Sequence, residues 1–506
     1  MNASGSGNSG TEVARRKGAL GAVDTYFKVS QRGSTFGREV RGGLAMFFAM
    51  AYIVVLNPLI LGNAVDMNDD LVGGVADPGV AIPMVAAATA FVAGVMTIMM
   101  GVVGRYPFGV AAGMGLNVVV AVTLAPQMTW ADAMGLVVLE GLILLVLVFT
   151  GFRGAVFRAI PPGLKTAIAV GLGLFLTFVG FVNAGFIQRV PDAAGSTVPV
   201  QLGSGHLNGW PILVFVLGLV LTIVLMVMRV PGALLIGIVA TTLVAIAVEA
   251  FAKVGPMVAA NGDVNPTGWS LNAPRLPGAV SDVVRTPDLG LLGQFNLFGS
   301  LEHIGVVAVI LLVFTLILAD FFDTMGTMVG VAGQADLLDE DGDLPGARSV
   351  LAVDSLAAAA GGAASASSAT VYAESAAAAG EGARTGVASI VAGVMFLVAM
   401  LFAPLVTVVP FEAATPVLIV VGFLMMTQIS KIDFTDLGIG IPAFLTIVVM
   451  PFTYNIANGI GAGFIAYAVV RLAQGRPREV HPLMWVVAAA FLVYFALEPV
   501  QRLLGV

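Results

Sequence analysis

Apolar runs long enough to cross a bilayer, about 20 residues each, recur along the whole chain, separated by short polar stretches. Clear runs lie near 43–61, 80–103, 131–151, 163–183, 210–228, 231–252, 304–328, 384–403 and 414–430. Weaker or shorter ones lie near 113–125, 349–364, 375–382, 440–456 and 458–474, and a last apolar run covers 482–500. In lipid a single segment satisfies its own backbone polar groups only as a helix. The pattern therefore predicts an all-α polytopic membrane protein.

Lysine and arginine in the short loops set the orientation. Arg15, Arg16, Lys17, Lys28, Arg32, Arg38 and Arg41 precede the first span, whereas the next loop, 62–79, has four aspartates and no Lys or Arg. This places the N-terminus in the cytoplasm. Arg105, then Arg153, Arg158 and Lys165, then Arg229, fall at every second loop, and Arg348, Arg384 and Lys431 continue the alternation. The stretch "VVRLAQGRPREVHP" carries Arg471, Arg476 and Arg478 and should also be cytoplasmic. Fourteen crossings are then complete by residue 474. The run 482–500 is an extra: a fifteenth crossing, an embedded segment or a helix packed on the bundle.

The long outer loop 253–300 divides the fourteen spans seven and seven. An odd number per half gives the halves opposite orientation, the mark of an inverted repeat. The third span of each half is defective: "RYPFGVAAGMGLNVVVAVTL" (105–124) in the first and "SSATVYAESAAAAGEG" (367–382) in the second. Each opens with residues unsuited to a helix, Tyr106-Pro107-Phe108 and Thr370-Val371-Tyr372, and turns into a short Gly- or Ala-rich helix. Matching interruptions in two halves point to a transporter's binding site. Two short β-strands, one in each broken span, are expected to pair near the midplane.

Composition narrows the classes. The 506 residues are 58% hydrophobic and 10% charged, where a soluble domain is about 25% charged. There is no cysteine, which excludes disulfides, thiolate metal sites and Cys nucleophiles. His206, His303 and His481 are too scattered for a zinc cluster. The net charge of −7 is confined to loops and gives no case for a nucleic-acid partner. The first 38 residues contain no apolar run, so no cleavable signal peptide is expected, and residues 1–12 read as a disordered tail.

Glu374 lies at the break in span 10. A charge at membrane depth costs about 2.5–3.5 kcal/mol even on lenient scales, so this one should face a cavity, a partner or a ligand; the bland reading is a hydrogen bond to a neighbouring helix. Asp320 and Asp323, three apart in "ILADFFDTMGTMVG", share one face of span 8; one of them could be a packing group. Asn117 is the polar residue of the first broken span and either holds the break together or contacts substrate. Tyr372, two residues before Glu374, shares its face in an extended strand, and its ring beside a carboxylate suits a flat heterocycle; the alternative is a core aromatic. Glu140 and Asp354 sit in good helices and read as inter-helix hydrogen bonders. Glu381 lies near Arg384 and reads as a solvated terminus. The acidic run "DLLDEDGDLPGAR" fails the EF-hand pattern, because Leu337 would occupy the first ligand position. "GIGAG" (459–463) lacks the strand of a dinucleotide motif and fits close helix packing. No metal or cofactor is expected.

Several longer motifs resemble one family: "GREVRGGLAMFFAMAYIVVLNPLIL", "PFGVAAGMGLN", "DFFDTMGTMVGVAG", "YAESAAAAGEGARTGVASIVAG" and "IPAFLTIVVMPFTYNIANGIGAGFIAY". Over about residues 37 to 485 the chain resembles the nucleobase–cation symporter-2 (nucleobase–ascorbate transporter) superfamily, and within it the AzgA-like hypoxanthine, guanine and adenine permeases. The resemblance implies a 7+7 inverted repeat with a core (39–151 and 301–405) and a gate (152–252 and 406–475), between a polar tail (1–38) and a C-terminal apolar segment (476–506). It implies proton-coupled purine uptake, with H+ as coupling ion, and a possible homodimer. It maps the acidic site residues of spans 8 and 10 onto Asp323 and Glu374 and the Asn of span 3 onto Asn117, with Ser375 at a position that can touch substrate. Asp323, Glu374 and Asp320 are the candidates for coupling the proton. A uracil- or xanthine-type symporter and an anion transporter of the same fold are the alternatives. An anion carrier would want a cation at the half-helices, yet only Arg105, at the edge, lies within 105–125 or 365–382. A channel or an intramembrane enzyme fits less well.

Overall fold

Helices occupy the predicted runs in the chain's computed structural model, which describes residues 19–150, 160–189, 200–202, 207–230, 232–257, 265–270, 273–339 and 344–496. The predicted tail at 1–12, the basic residues Arg153 and Arg158, His206 and the end of the run 482–500 fall outside these. Among the described residues, nine helices are long and apolar enough to cross a membrane, and shorter apolar helices fill the remaining positions. In the first half the spans are span 1 (Phe36–Met50 and Ile53–Leu61), span 2 (Pro78–Met99, continued to Gly104), span 4 (Trp130–Thr150), span 5 (Pro162–Asn183), span 6 (Trp210–Val227) and span 7 (Ala233–Ala252). In the second they are span 8 (Ser300–Gln334), span 9 (Ala347–Ala363), span 11 (Gly386–Ala399, continued to Val408), span 12 (Phe411–Ala414 and Pro416–Met426), span 13 (Leu437–Thr453) and span 14 (Ile456–Ala473). Span 8 turns at Gly305, whose φ of 77° is open to glycine without strain.

The interruptions are strands and half-helices. The strands are β1 (Val110–Ala112), β2 (Ile187–Arg189), β3 (Val200–Leu202) and β4 (Ala369–Val371). β2 and β3 pair in the connection between spans 5 and 6. In span 3, β1 leads into the helix Met114–Val119, which runs on as looser turns to Gln127; in span 10, β4 leads through a tight turn at Ala373–Ser375 into the helix Ala376–Gly380. The first break begins at the residues the sequence singled out, since the helix of span 2 ends at Gly104. Tyr106 and Phe108 precede the strand, with their rings stacked at 5.7 Å, and the extended pairing starts only at Val110.

Small residues draw the spans together in two groups, as expected where helices pack without a hydrophobic drive between them. Span 2 meets span 11 so closely that a Cβ on Gly386 would fall 2.0 Å from the Gly101 carbonyl oxygen, and one on Gly393 2.6 Å from that of Gly94. Span 4 meets span 9 in the same way, a Cβ on Gly141 falling 2.3 Å from the Ala359 nitrogen. In the other group a Cβ on Gly173 of span 5 would lie 2.6 Å from the Gly422 carbonyl oxygen of span 12. Gly459 and Gly463, in the "GIGAG" motif, press span 14 onto Met450 and Thr446 of span 13, which is helix packing and not nucleotide binding.

The two chain ends differ from simple tails. Within the predicted polar tail 1–38, Ala19–Phe27 is a helix that docks on the basic end of span 2: Phe27 is buried, the Tyr26 hydroxyl donates to the Val102 carbonyl at 2.9 Å, and Arg105 stacks over the Tyr26 ring. The extra run forms the helix Pro482–Phe495. Its 14 residues rise about 21 Å, less than the thickness of the hydrocarbon core. Phe491 is fully buried between Phe464 of span 14 and Phe314 of span 8, so the described part of this run packs against spans 8 and 14.

Gly386→Val should collapse the span 2–span 11 contact, whereas Gly380→Val, with nothing within 4 Å of its Cβ position, should be tolerated. Fluorescence-detected size exclusion of both variants checks this: loss of most of the monodisperse peak is expected for the first and little change for the second.

Candidate functional site

The two breaks meet. β1 and β4 run antiparallel, with Val110 opposite Val371, Ala111 opposite Thr370 and Ala112 opposite Ala369. The Gly113 N–H donates to the Ser368 carbonyl (2.8 Å) and the Tyr372 N–H to the Gly109 carbonyl (2.9 Å), so the pairing extends past both strands. Local sequence makes the approach feasible. A Cβ on Gly109 would lie 2.3 Å from the Met50 sulfur, so a side chain there would displace the end of the Met50 side chain. Ser365 and Ser367 adopt φ of 55° and 67°, and this left-handed turn folds the chain back until the Ser367 carbonyl would sit 2.0 Å from a Cβ on Gly361.

A two-stranded ladder has two open edges, and at this depth no water or lipid group can satisfy them. Thr97 of span 2 closes one: its hydroxyl donates to the Val110 carbonyl and accepts from the Val110 N–H, each at 2.9 Å. Asp354 of span 9, fully buried, closes the other. It accepts from the Val371 N–H (3.3 Å), the Thr370 hydroxyl (3.3 Å) and the Thr324 hydroxyl of span 8 (2.9 Å). The segments ahead of the strands are held likewise. The Ser389 hydroxyl of span 11 contacts the Tyr106 and Phe108 carbonyls at 2.8 and 2.9 Å, and Glu140 of span 4 accepts from the Ser368 hydroxyl at 3.3 Å. Asp354 and Glu140 thus join elements, as their positions in the sequence suggested.

The candidate side chains stand beside this ladder. Glu374 and Asp323 are each half-buried, and span 8, which carries Asp323, packs on β4 and on the turn that carries Glu374. Among the described residues no lysine or arginine pairs with either. The Tyr52 hydroxyl of span 1 donates to Glu374 Oε1 at 2.6 Å, and the Tyr52 ring lies 6.5 Å from that of Tyr372. Tyr372 is buried, and its hydroxyl donates to the Ala112 carbonyl of β1. Ser375 is buried too, with its hydroxyl accepting from the Gly109 N–H at 2.9 Å. Asn117 is fully buried and donates to Asn57 of span 1 at 3.0 Å; Asn57 in turn donates to Thr89 (2.7 Å) and to the Ala366 carbonyl ahead of β4 (3.1 Å). Of the two roles open to Asn117, its contacts serve the one that holds the breaks together. Asp320 is fully buried, one turn from half-buried Asp323. Glu381 pairs with Arg41 instead of Arg384, and Arg384 donates to the carbonyls of Ala379 and Ala383.

Tyr52 and Asn57 were not legible as site residues. The run 43–61 reads as an ordinary apolar span, in which a tyrosine passes for a core aromatic. The available signal was "NPL": an Asn beside a Pro inside a span marks a place where the helix is not self-sufficient.

Inverted repeats whose broken spans meet around acidic side chains define a membrane transporter. The chain belongs to the Permease family described by the Xan_ur_permease model, which matches residues 37–462. It is 36% identical over 476 residues to the guanine/hypoxanthine permease PbuG of Bacillus subtilis (strain 168), covering 94% of this chain and 99% of that one. It is 34% identical to the adenine permease AdeP of Escherichia coli (strain K12), covering 94% and 96%. Among solved structures the fold is similar to the transmembrane domain of the cyanobacterial bicarbonate transporter BicA (TM-score 0.54, 14% identity, 85% of this chain and 98% of that one). It is also similar to the murine anion transporter Slc26a9 in its inward-facing state (TM-score 0.57, 13% identity, 91% and 73%). Those likenesses carry the 7+7 inverted-repeat architecture and not the ligand.

Asp354→Ala leaves the Val371 N–H without its acceptor, and the Thr324 and Thr370 hydroxyls, 2.6 Å apart, with one acceptor between them. Unpaired buried groups cost about 1–3 kcal/mol each, so the purified variant should show a fall of several degrees in its melting temperature or fail to fold, as read by a thermal-shift assay in detergent.

Proposed function

We propose that the protein takes up purine nucleobases (hypoxanthine, guanine and adenine) across the cytoplasmic membrane, coupled to protons, by alternating access. The observation that carries this is the placement of Glu374 and Asp323 beside the broken strands with no lysine or arginine paired to either among the described residues. A purine presents ring N–H donors on its edges, and a carboxylate is a charge-assisted acceptor for them. Glu374 accepts from one edge and Asp323 from another, while Tyr372 contributes ring surface and Ser375 and Asn117 hold the backbone that frames the base. The names of the similar permeases support the purine class.

Two carboxylates that repel each other are eased when one takes a proton. Loading a proton and loading a base therefore draw on the same pair, and inward release of both dissipates the proton gradient; Asp320 is the reserve candidate for the same proton. Spans 1–4 and 8–11, over 39–151 and 301–405, are the moving core. Spans 5–7 and 12–14, over 152–252 and 406–475, are the gate. The loop charges set the N-terminus in the cytoplasm. A homodimer is the expected assembly, with light scattering on the detergent-solubilised protein as its measure. Anion transport, the activity named for the solved structures of similar fold, is disfavoured by two acidic groups where an anion would need a cation.

Proteoliposomes should accumulate labelled hypoxanthine when the outside is acidic and only equilibrate it when the pH is equal; uptake indifferent to the gradient would rule out proton coupling. Glu374→Ala should weaken purine binding roughly 100-fold, as expected for a lost charge-assisted hydrogen bond of about 3 kcal/mol. The variant should still purify as a folded protein. A competition panel of nucleobases, with uracil and xanthine included, measures which base is preferred.

A further inference from the structure

We propose that Tyr52 is a positioning residue for the substrate-binding carboxylate: its hydroxyl holds one oxygen of Glu374 and orients the carboxylate for the purine. This rests on the reading of Glu374 as the purine acceptor and adds to it a component from span 1.

Tyr52 stands where span 1 changes from its first helical segment to its second, and its side chain is 1% exposed. A phenol this deep needs an acceptor, and the one it has is Glu374 Oε1 at 2.6 Å, 322 residues away in sequence. Among the described residues no other side chain donates a hydrogen bond to Glu374. Tyr52 is thus the side chain that engages the carboxylate, at Oε1, beside the residue's own backbone N–H. An unheld Glu side chain samples several rotamers, and fixing it before the ligand arrives removes an entropic cost of binding. The hydroxyl also fixes the plane of the carboxylate, and so the direction from which an N–H donor must approach.

The contact is also what lets span 1 respond to the site. Tyr52 and Asn57 lie on the same short helical stretch, and Asn57 bonds to Asn117 of span 3 and to the Ala366 carbonyl. Span 1 thereby holds the polar residue of one break and the acid of the other. A bland alternative is that Glu374 merely satisfies a buried phenol, in which case removing the hydroxyl would alter stability and leave recognition alone.

Tyr52→Phe keeps the ring and removes the hydroxyl. The expected result in proteoliposomes is a rise of about tenfold in the KM for hypoxanthine, the size of one charge-assisted hydrogen bond, with the melting temperature of the apo protein within a few degrees of wild type. Substrate-induced infrared difference spectra supply a readout that packing alone would not move. The carboxyl band that Glu374→Gln removes should shift in Tyr52→Phe. An unchanged KM, or an unmoved band, overturns the assignment. The two readings fail separately: if Glu374→Ala binds hypoxanthine as wild type does, the site itself is misplaced, whereas if Glu374→Ala loses binding and Tyr52→Phe keeps it, only the positioning role falls.

Discussion

A strand pair buried at membrane depth must close its own edges, and the rest of this structure is arranged around that requirement. A backbone group left unpaired in hydrocarbon is costly, and the pair β1 and β4 has Thr97 bonded on one side and Asp354 on the other. These two residues sit on span 2 and span 9, the equivalent second spans of the two halves. The next layer repeats the logic: Ser389 of span 11 binds the segment before β1, and Glu140 of span 4 binds the segment before β4. The inverted repeat therefore conserves positions of support, while the chemistry at each position differs between a hydroxyl and a carboxylate.

That difference separates two kinds of buried acid. Asp354 accepts three hydrogen bonds from the protein, and Glu39, also buried, accepts from the N–H groups of Arg384 and Thr385 at the start of span 11. These acids complete the backbone. Glu374 and Asp323 are half-buried, and what faces them is another acid and two tyrosine rings. Among the described residues no lysine or arginine is paired with either, which suits a ligand rich in N–H donors. The same scaffold with a cation in place of these acids would suit an anion, so the sign of charge beside the ladder separates ligand classes that the fold alone cannot.

The spans, their alternation and the paired breaks were legible because hydrophobic length and loop charge are one-dimensional properties that a bilayer enforces. Glu374 and Asp323 were legible for the same reason, since an acid in an apolar run is conspicuous. What escaped was contact between distant segments. Tyr52 and Asn57 look unremarkable in the run 43–61, and only the fold brings them to residues more than 300 positions away. Pro107 breaks a helix wherever it stands, whereas the strand begins where a partner is available, at Val110 opposite Val371, and that start is not written in the local sequence. Glu381 read as a solvated terminus near Arg384, but the turn carries it to Arg41.

The support network also limits how such a site can move. Tyr52, Asn57, Asn117, Thr97, Asp354 and Glu374 tie spans 1, 2, 3, 9 and 10 by hydrogen bonds, several of them fully buried. A motion that parted these spans would strand buried polar groups. The boundary with span 5 is different in kind. There the half-helix of span 3 approaches through Gly115, where a Cβ would rest 3.2 Å from the Leu172 side chain. Apolar contact of this sort is non-directional and can be exchanged for a similar contact one step along. Alternating access on the proposed reading therefore places the slip plane at that boundary, with the carboxylates, their tyrosines and the strand ladder carried as one rigid body.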